Sequence, residues 1–268
     1  MSDVDRIRRG NPSPGHASRG GRSGRRSCVP GLTLMALLIL SLGISASETD
    51  FDRRRANLVS ELRSELAQLA PRLEQGRVNE AVLDAIGRVR RHEFVPEDQR
   101  RYAYDNRPLS IGYGQTISQP LIVALMTDLL QVESGFRVFE LGTGSGYQAA
   151  VLAELGAQVY SMEIVEPLAE AARARLDRLG YSQVRVRGGD GYLGWPEQAP
   201  FDVIIVTAAG DHIPPPLIRQ LRPGGRMILP VGGRYVTQQL VLVSKEPGGS
   251  IITREILPVR FVPITGAH

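Results

Sequence analysis

Three glycines at alternate positions, directly after a short apolar segment, are the feature that most limits how this chain can fold. Residues 137–141 read as a buried strand, and Gly142, Gly144 and Gly146 follow before a helical segment begins at Tyr147. Glycine permits a sharp turn at positive φ and leaves no Cβ in the way of a ligand. The following helix offers free N–H groups in its first turn. This order predicts a nucleotide site at the first crossover of a Rossmann-like sheet.

The spacing of the glycines separates two classes of nucleotide cofactor. A dinucleotide loop reads GxGxxG, whereas this loop reads ExGxGxG from Glu140 onward, a form that resembles the cofactor loop of S-adenosylmethionine (SAM) methyltransferases. Glu163 follows 23 residues later at the end of a second apolar segment, where a carboxylate can accept hydrogen bonds from both ribose hydroxyls. Asp190-Gly191 follows the third such segment. A plain tight turn remains the alternative for the glycines and for Asp-Gly, and a solvated acid remains the alternative for Glu163.

Short apolar segments alternate with helical segments along the second half of the chain. The run 201–206 is apolar almost throughout, as expected of a strand buried on both faces. Strands are predicted at 137–141, 157–163, 183–187, 201–206, 226–231, 238–244 and 251–262, the last two as an antiparallel pair. This order predicts an α/β fold with a mostly parallel sheet and helices on both faces. Ligands bind at the C-terminal ends of such strands, where Glu140, Glu163, Asp190 and Thr207 lie.

Composition and charge argue against several classes of function. The net charge is +4, but residues 1–28 contain seven arginines and two aspartates, which leaves the rest of the chain at −1. The basic excess belongs to a tail, so we expect no nucleic-acid partner. Cys28 is the only cysteine, which excludes an intrachain disulfide and a cysteine-based metal site. No metal is predicted, because the four histidines are scattered at His16, His92, His212 and His268.

The first 47 residues read as a leader. Residues 1–28 are rich in Arg, Gly, Ser and Pro, and are expected to be disordered. The apolar run 32–44 then precedes Ser45-Ala46-Ser47, and a basic region, a short apolar run and small residues are together typical of a secretory signal. The run is too short for a membrane span, which needs about 20 residues. Export to the periplasm is therefore predicted, with a misassigned start upstream of a cytoplasmic protein as the alternative.

Two further parts follow the leader, a helical lead-in at 48–115 and a catalytic domain at 116–268. Aliphatic residues recur at helical spacing in two segments of the lead-in, separated by Pro71. These residues are Leu58, Leu62, Leu66 and Leu69 in the first helix, and Val78, Val82, Ile86 and Val89 in the second. Such helices either pack on the sheet or form a wall over the cofactor that selects the substrate.

The run GQTISQP at 114–120 precedes a strongly apolar helical segment. Thr116 and Gln119 have the spacing of a capping box, and Ser118 stands two residues before Pro120, where helix caps are common. Helix capping is therefore one explanation for both hydroxyls. The other is that they contact a ligand.

The same run also carries a more specific resemblance. GQTISQP, followed about 20 residues later by FELGTGSGYQAAVLAEL, resembles the protein-L-isoaspartate O-methyltransferases. Further segments match in the family's order, namely GDGYLGW at 189–195, APFDVIIVTAA at 199–209, LRPGGRMILPVG at 221–232 and LPVRFVPITG at 257–266. The resemblance covers residues 53–266. It implies a Rossmann-like SAM-dependent methyltransferase fold with an N-terminal helical addition.

The resemblance also implies roles for individual residues. Ser118 matches the family's active-site serine, expected to hydrogen-bond the acceptor carboxylate, and the backbone of Val262 is expected to help hold the peptide substrate. Glu140 is expected to orient the loop or the methionyl amino group. The residues expected to bind the cofactor are Gln115, Thr116, Ile117, Glu140, Gly142, Thr143, Gly144, Gly146, Glu163, Asp190, Gly191 and Thr265.

The reaction implied by the resemblance is methylation of the α-carboxyl group of L-isoaspartyl residues in damaged proteins. The ester then cyclises to a succinimide, which can reopen to aspartate. A carboxylate has an unperturbed pKa of about 4 and is already ionised at pH 7, so the reaction needs alignment and removal of water rather than a general base. The expected partners are isoaspartyl peptides and proteins, and the chain is expected to be a monomer.

Three other functions are compatible with parts of this pattern. A SAM-dependent methyltransferase acting on a small molecule would share the glycine loop and Glu163, but would not need Ser118. A SAM-binding scaffold held by the apolar leader would bind the cofactor without transferring a methyl group. A nicotinamide dehydrogenase would need the dinucleotide spacing that the loop lacks.

Overall fold

The computed structural model describes residues 31–69, 76, 79–233 and 237–266, with side chains from residue 48 onward. The chain divides into two compact units, Met1–Ser45 and Ala46–His268. The disorder predicted for residues 1–28 and the side chains of the predicted signal run lie outside the described part. Where side chains are described, no helix combines the length and apolar character needed to cross a membrane.

A sheet forms the centre of the second unit and, within the described residues, contains seven strands. In spatial order these are β5 (Val184–Gly188), β4 (Gln158–Glu163), β3 (Arg137–Leu141), β6 (Phe201–Val206), β7 (Leu221–Val231), β8 (Gln238–Lys245) and β9 (Ile251–Val259). The first five pair in parallel, and β8 runs antiparallel to both of its neighbours. The predicted Rossmann-like, mostly parallel sheet is confirmed.

Helices cover both faces of this sheet, as predicted. One face packs against α2 (Glu80–Arg88), α3 (Pro120–Leu130), α4 (Tyr147–Glu154), α5 (Glu166–Arg178) and the C-terminal half of α1 (Gly31–Gln68). The other face packs against the short α6 (Pro215–Gln220). Because successive strand residues point to opposite faces, Val138 and Val159 join the first hydrophobic cluster, while Phe139 and Tyr160 join the second.

The lead-in shares the larger of the two clusters with the sheet. Leu62 of α1 and Leu83 of α2 are fully buried in the same cluster as Val151 of α4. A two-stranded hairpin of β1 (Leu109–Gly112) and β2 (Gln115–Ile117) connects the lead-in to α3. The division between a lead-in and a catalytic domain at residue 116 stays a prediction.

Some element boundaries differ from those that the sequence pattern predicts. The last strand was predicted to reach residue 262 but ends at Val259. The chain then leaves the sheet edge, because Val262 O accepts a hydrogen bond from Ala209 N at 2.8 Å and Ile264 N donates to Ala209 O at 2.8 Å. The C-terminal segment is thereby brought beside the end of β6.

Candidate active site

Three adjoining cavities open at the C-terminal ends of β3 and β6. The strand order reverses between these strands, since β4 and β5 lie beyond β3 while β7 to β9 lie beyond β6. Such a switch point leaves a crevice in which α/β proteins bind ligands. Thr116 and Thr207 line all three cavities, and Ser118 lines two of them. These three side chains therefore mark the junction of the site.

The glycine loop forms one wall of this junction. Gly142, Gly144 and Gly146 have φ values of 97°, 52° and 86°, a region that residues with a Cβ rarely adopt. A Cβ on Gly142 would also lie 2.4 Å from Thr207 Oγ1. The loop needs glycine here both for its backbone conformation and for its close approach to β6.

The loop is held from behind by a buried chain of hydrogen bonds. The hydroxyl of Ser161 donates to Glu140 Oε2 and lies 2.5 Å from the hydroxyl of Thr143 in the loop. Glu140 is fully buried, and its other oxygen, Oε1, has no partner. Burial, with a smaller contribution from the charge of Glu163, raises the pKa of Glu140 to about 8 despite the opposing hydrogen bond from Ser161.

Two carboxylates line the second cavity, at the ends of neighbouring strands. Glu163 Oε2 accepts from Gly144 N at 2.7 Å, and its Oε1 accepts from Val165 N at 3.0 Å. Asp190 Oδ1 accepts from Tyr192 N at 2.9 Å. Ionised carboxylates accept hydrogen bonds and attract positive charge, so this cavity is suited to hydroxyl and cationic groups. Gly191 completes the wall closely, since a Cβ there would lie 2.8 Å from a side-chain atom of Leu141.

The segment carrying Ser118 is anchored from the lead-in by Arg91. This fully buried guanidinium donates to Ser118 O at 2.8 Å and to Ala103 O at 2.9 Å. It also lies 4.7 Å from the ring centre of Tyr147, the first residue of α4. Arg91 thus joins the Ser118 segment to the helix that follows the glycine loop, and its burial lowers its pKa.

The explanation that the hydroxyls of Thr116 and Ser118 cap the helix α3 is wrong. The N-cap of α3 is Gln119, and its side chain makes no capping hydrogen bond. Asn106 of the lead-in supplies the bond instead, since its Oδ1 accepts from Leu121 N at 3.0 Å. Thr116 and Ser118 do not cap the helix, and their side chains line cavities.

The largest of these three cavities has a volume of about 500 Å³ and a different chemical character. Its lining residues are Pro108, Thr116, Ser118, Gln119, Ile122, Thr207, Thr237, Pro258, Val259, Arg260, Phe261 and Val262. Among the described residues of this lining, Arg260 is the only charged one, and the other polar groups are hydroxyls and one amide. The site thus has an acidic end beside the glycine loop and a hydroxyl-rich end that includes the guanidinium of Arg260. Within the described residues, no group of three or more His, Cys, Asp or Glu side chains could hold a metal ion.

Most of the residues singled out from the sequence meet at this site. Those lining at least one of the three cavities are Gln115, Thr116, Ile117, Ser118, Gly142, Thr143, Gly144, Glu163, Asp190, Gly191, Val262 and Thr265. Glu140 and Gly146 line none of these three. Gly146 instead lies against α5, where a Cβ would come 3.1 Å from a methyl carbon of Leu176.

Two residues of the site received no individual role from the sequence pattern. Thr207 was placed at the ligand-binding end of a strand, after the apolar run 201–206, but nothing in the run predicted its contact with the glycine loop. Arg91 gave no signal, because it looks like any exposed arginine at the end of an amphipathic helix. Its burial depends on a contact with Ser118, which lies 27 residues further along the chain.

Comparison with known proteins identifies the family. The family model for protein-L-isoaspartate(D-aspartate) O-methyltransferase matches residues 64–268. The chain belongs to this family. It is 56% identical over 238 residues to protein-L-isoaspartate O-methyltransferase 2 of Syntrophobacter fumaroxidans, covering 87% of this chain and 96% of that protein. It is 60% identical over 209 residues to a protein of the same name from a Polaromonas species, covering 78% of this chain and 96% of that protein.

Solved structures with the same family name share the fold. A protein-L-isoaspartate O-methyltransferase superimposes with a TM-score of 0.70 at 30% identity, over 79% of this chain and 66% of that one. A Plasmodium falciparum protein, described as a putative member of the same family in complex with S-adenosyl-L-homocysteine, gives a TM-score of 0.66 at 24% identity, over 79% of this chain and 98% of that one.

The site geometry fits the cofactor of such methyltransferases. A wall of backbone without side chains lies at Gly142, Gly144 and Gly191, and added Cβ atoms there would meet other atoms at 2.4, 3.3 and 2.8 Å. The carboxylates of Glu163 and Asp190 lie beside that wall. A nucleoside with ribose hydroxyls and a cationic sulfonium matches this combination of open backbone and acidic groups.

Proposed function

We propose that this chain transfers the methyl group of SAM to the α-carboxyl group of L-isoaspartyl residues in damaged proteins, which starts their repair to aspartate. The observation that carries the proposal is the division of one site into an acidic end and a hydroxyl-rich end. The acidic end suits a cationic methyl donor, and the other end suits an anionic acceptor. The two meet at Thr116, Ser118 and Thr207.

The acidic end would hold the cofactor through main-chain and carboxylate groups. Glu163 accepts the ribose hydroxyls, while Asp190 and Gly191 border the adenine. Gln115, Thr116, Ile117 and Thr265 cover the cofactor from the hairpin and from the C-terminal segment. Glu140 acts indirectly, through the hydrogen bonds that connect it by way of Ser161 to Thr143.

The cofactor, when bound, supplies a methyl group on a good and neutral leaving group, so the protein's task is to present the acceptor. Ser118 donates a hydrogen bond to the carboxylate, which holds one oxygen in line without the strong pairing that a lysine would impose. Val262 holds the peptide through its backbone. The described lining residues of the largest of the three cavities include no His, Cys, Lys or acid that would serve as a base, which agrees with an acceptor that is already ionised at pH 7.

A pair of peptides tests this proposal. One peptide contains a single L-isoaspartyl residue and the other contains normal aspartate at the same position. With labelled SAM, we expect base-labile label in the first peptide only. Equal labelling of both peptides, or of neither, would overturn the assignment, and labelling of small carboxylic acids alone would favour the small-molecule alternative.

We also propose that residues 1–47 direct export and that the mature protein is a monomer. The basic residues, the apolar run 32–44 and the small residues after it support the first proposal. The intact mass of the protein from its native host tests it, since export predicts a mature start near Ser47. Light scattering of the purified chain tests the second, with a mass of one chain expected.

A further inference from the structure

Among the described residues, Thr207 is the one that lines both ends of the site and has no role in the reaction described so far. It follows the last residue of β6, is half-buried, and lines all three cavities. Thr116 is the other residue common to the three, and it is already placed over the cofactor. The question is which hydrogen-bonding groups of Thr207 remain available to a ligand.

The hydroxyl hydrogen of Thr207 is already used within the protein. Its Oγ1 lies 2.7 Å from Gly142 O and 3.0 Å from Leu141 O. Leu141 O also accepts from the backbone N–H of Thr207 at 2.9 Å, so the shorter bond to Gly142 O takes the hydrogen. A hydroxyl has one donor and two acceptor lone pairs. What Thr207 can offer to a ligand is therefore an acceptor, not a donor.

An acceptor at this junction discriminates between the two ligands of the reaction. A carboxylate has no hydrogen to give and would be repelled by an oxygen lone pair. The methyl and methylene groups of a sulfonium are polarised by its positive charge and interact favourably with oxygen. We propose that Thr207 Oγ1 is a further cofactor-binding residue that recognises the positive charge of SAM, and that it thereby binds SAM more tightly than the neutral product S-adenosylhomocysteine.

The contact with Gly142 explains how the oxygen is held in place. Gly142 lacks a Cβ, and an added one would lie 2.4 Å from Thr207 Oγ1. The hydroxyl is therefore fixed against the glycine loop by a short hydrogen bond, and it cannot rotate to donate elsewhere without losing that bond. The same oxygen favours release of the product once the positive charge has been consumed. This inference rests on the proposed function only in its choice of cofactor.

The test compares the affinity for the two forms of the cofactor, without any peptide present. Calorimetry with SAM and with S-adenosylhomocysteine is carried out on three full-length proteins, namely the wild type, Thr207→Val and Thr207→Ser. We expect Thr207→Val to weaken SAM binding by about 2- to 10-fold, which is the effect of losing one weak hydrogen bond. The affinity for S-adenosylhomocysteine should change by less than about 2-fold, below the effect of one hydrogen bond. Thr207→Ser should restore the preference. The matched control is Thr237→Val, which makes the same chemical change in a residue that lines only the largest of the three cavities.

A purely structural role for Thr207 would give a different result. Loss of the hydrogen bond to Gly142 O would then lower the affinities for SAM and for S-adenosylhomocysteine by the same factor, and that result would overturn the proposal. Unchanged affinities for both ligands would also overturn it. If Thr207→Val does not fold, as judged by circular dichroism, Thr207→Ala is measured in its place against the same two outcomes. The measurement is independent of the acceptor, so an enzyme that fails to methylate isoaspartyl peptides still tests this inference.

Discussion

Ser118 and Glu140 contribute to the site in opposite ways. Ser118 is partly exposed at the junction of two cavities, and its hydroxyl is placed to donate directly to an acceptor. Glu140 is fully buried behind the glycine loop and lines none of the three cavities. The first residue should therefore affect turnover, while the second should affect the energy of the fold and its dependence on pH.

We predict that Ser118→Ala lowers kcat by about 10- to 100-fold, because a hydrogen bond to a charged carboxylate is worth about 1.5–3 kcal/mol. The affinity for SAM should change by less than about 2-fold, below the loss of even a weak hydrogen bond, because Ser118 is assigned to the acceptor and not to the cofactor. Turnover of an isoaspartyl peptide and calorimetry with SAM measure the two quantities. Ser64→Ala, on the exposed face of α1, is the matched control. Full activity of Ser118→Ala would contradict the assigned role.

We predict that Glu140→Gln changes how stability depends on pH. The pKa of Glu140 is about 8 in the folded protein against an ordinary 4.5. Between these values the folded state binds more protons than the unfolded state, so this carboxyl lowers the free energy of unfolding as the pH rises through that window. Glutamine cannot ionise and removes this contribution. The variant should therefore gain stability relative to the wild type between pH 5 and pH 8.

Urea denaturation of both proteins at pH 5, 6.5, 8 and 9 measures this difference. The free energy of unfolding of Glu140→Gln, relative to that of the wild type, should rise up to about pH 8 and then level off. Glu61→Gln, at an exposed position of α1, serves as the control and should show no such trend. Parallel pH profiles for the wild type and Glu140→Gln would show that Glu140 is ionised in the fold at neutral pH.

At the scale of elements, the site depends on two contacts between segments that lie far apart in the chain. The glycine loop after β3 meets the end of β6 through Gly142 and Thr207. The lead-in meets the Ser118 segment through Arg91. Both contacts are close and partly buried, so a change in one side chain should affect the whole segment it holds.

We predict that Gly142→Ala is more destabilising than Gly135→Ala. Both glycines have positive φ, 97° and 85°, so each substitution incurs about 1–2 kcal/mol of backbone strain. At Gly135 an added Cβ meets no atom within 4 Å, whereas at Gly142 it meets Thr207 Oγ1 at 2.4 Å. Gly142→Ala should therefore lower the free energy of unfolding more than Gly135→Ala does, and it alone should weaken SAM binding. Both differences would come from the contact between the glycine loop and the end of β6. Equal effects of the two variants on unfolding and on SAM binding would contradict this contact.

We predict that Arg91→Met lowers the free energy of unfolding by about 2 kcal/mol or more, because it leaves the carbonyls of Ala103 and Ser118 without a donor in the protein interior. Arg88→Met is the control. It removes an ion pair to Glu154 whose arginine is half exposed, a loss worth at most about 1 kcal/mol. Kinetics should show a lower kcat in Arg91→Met only. Similar losses in both variants would contradict the anchoring role of Arg91.

At the scale of the whole molecule, local patterns predicted most of the sheet and singled out many of the residues that line the three cavities. Continuous apolar runs and glycine turns depend on neighbouring residues, so the positions of the strands and the loop around Gly142 could be predicted from the sequence. Contacts formed between distant segments could not. The cap that Asn106 provides for α3, the burial of Arg91 and the hydrogen bond of Thr207 to the glycine loop all arise when the chain closes on itself.

The most direct test of the proposed function follows the repair itself. An isoaspartyl peptide is incubated with the protein and repeated additions of SAM, and the isoaspartyl and aspartyl forms are separated by chromatography over time. The account predicts that the isoaspartyl form declines and the aspartyl form accumulates, only when SAM is present and much more slowly with Ser118→Ala. An isoaspartyl peptide that stays unchanged, or that is converted equally well without SAM, would contradict it.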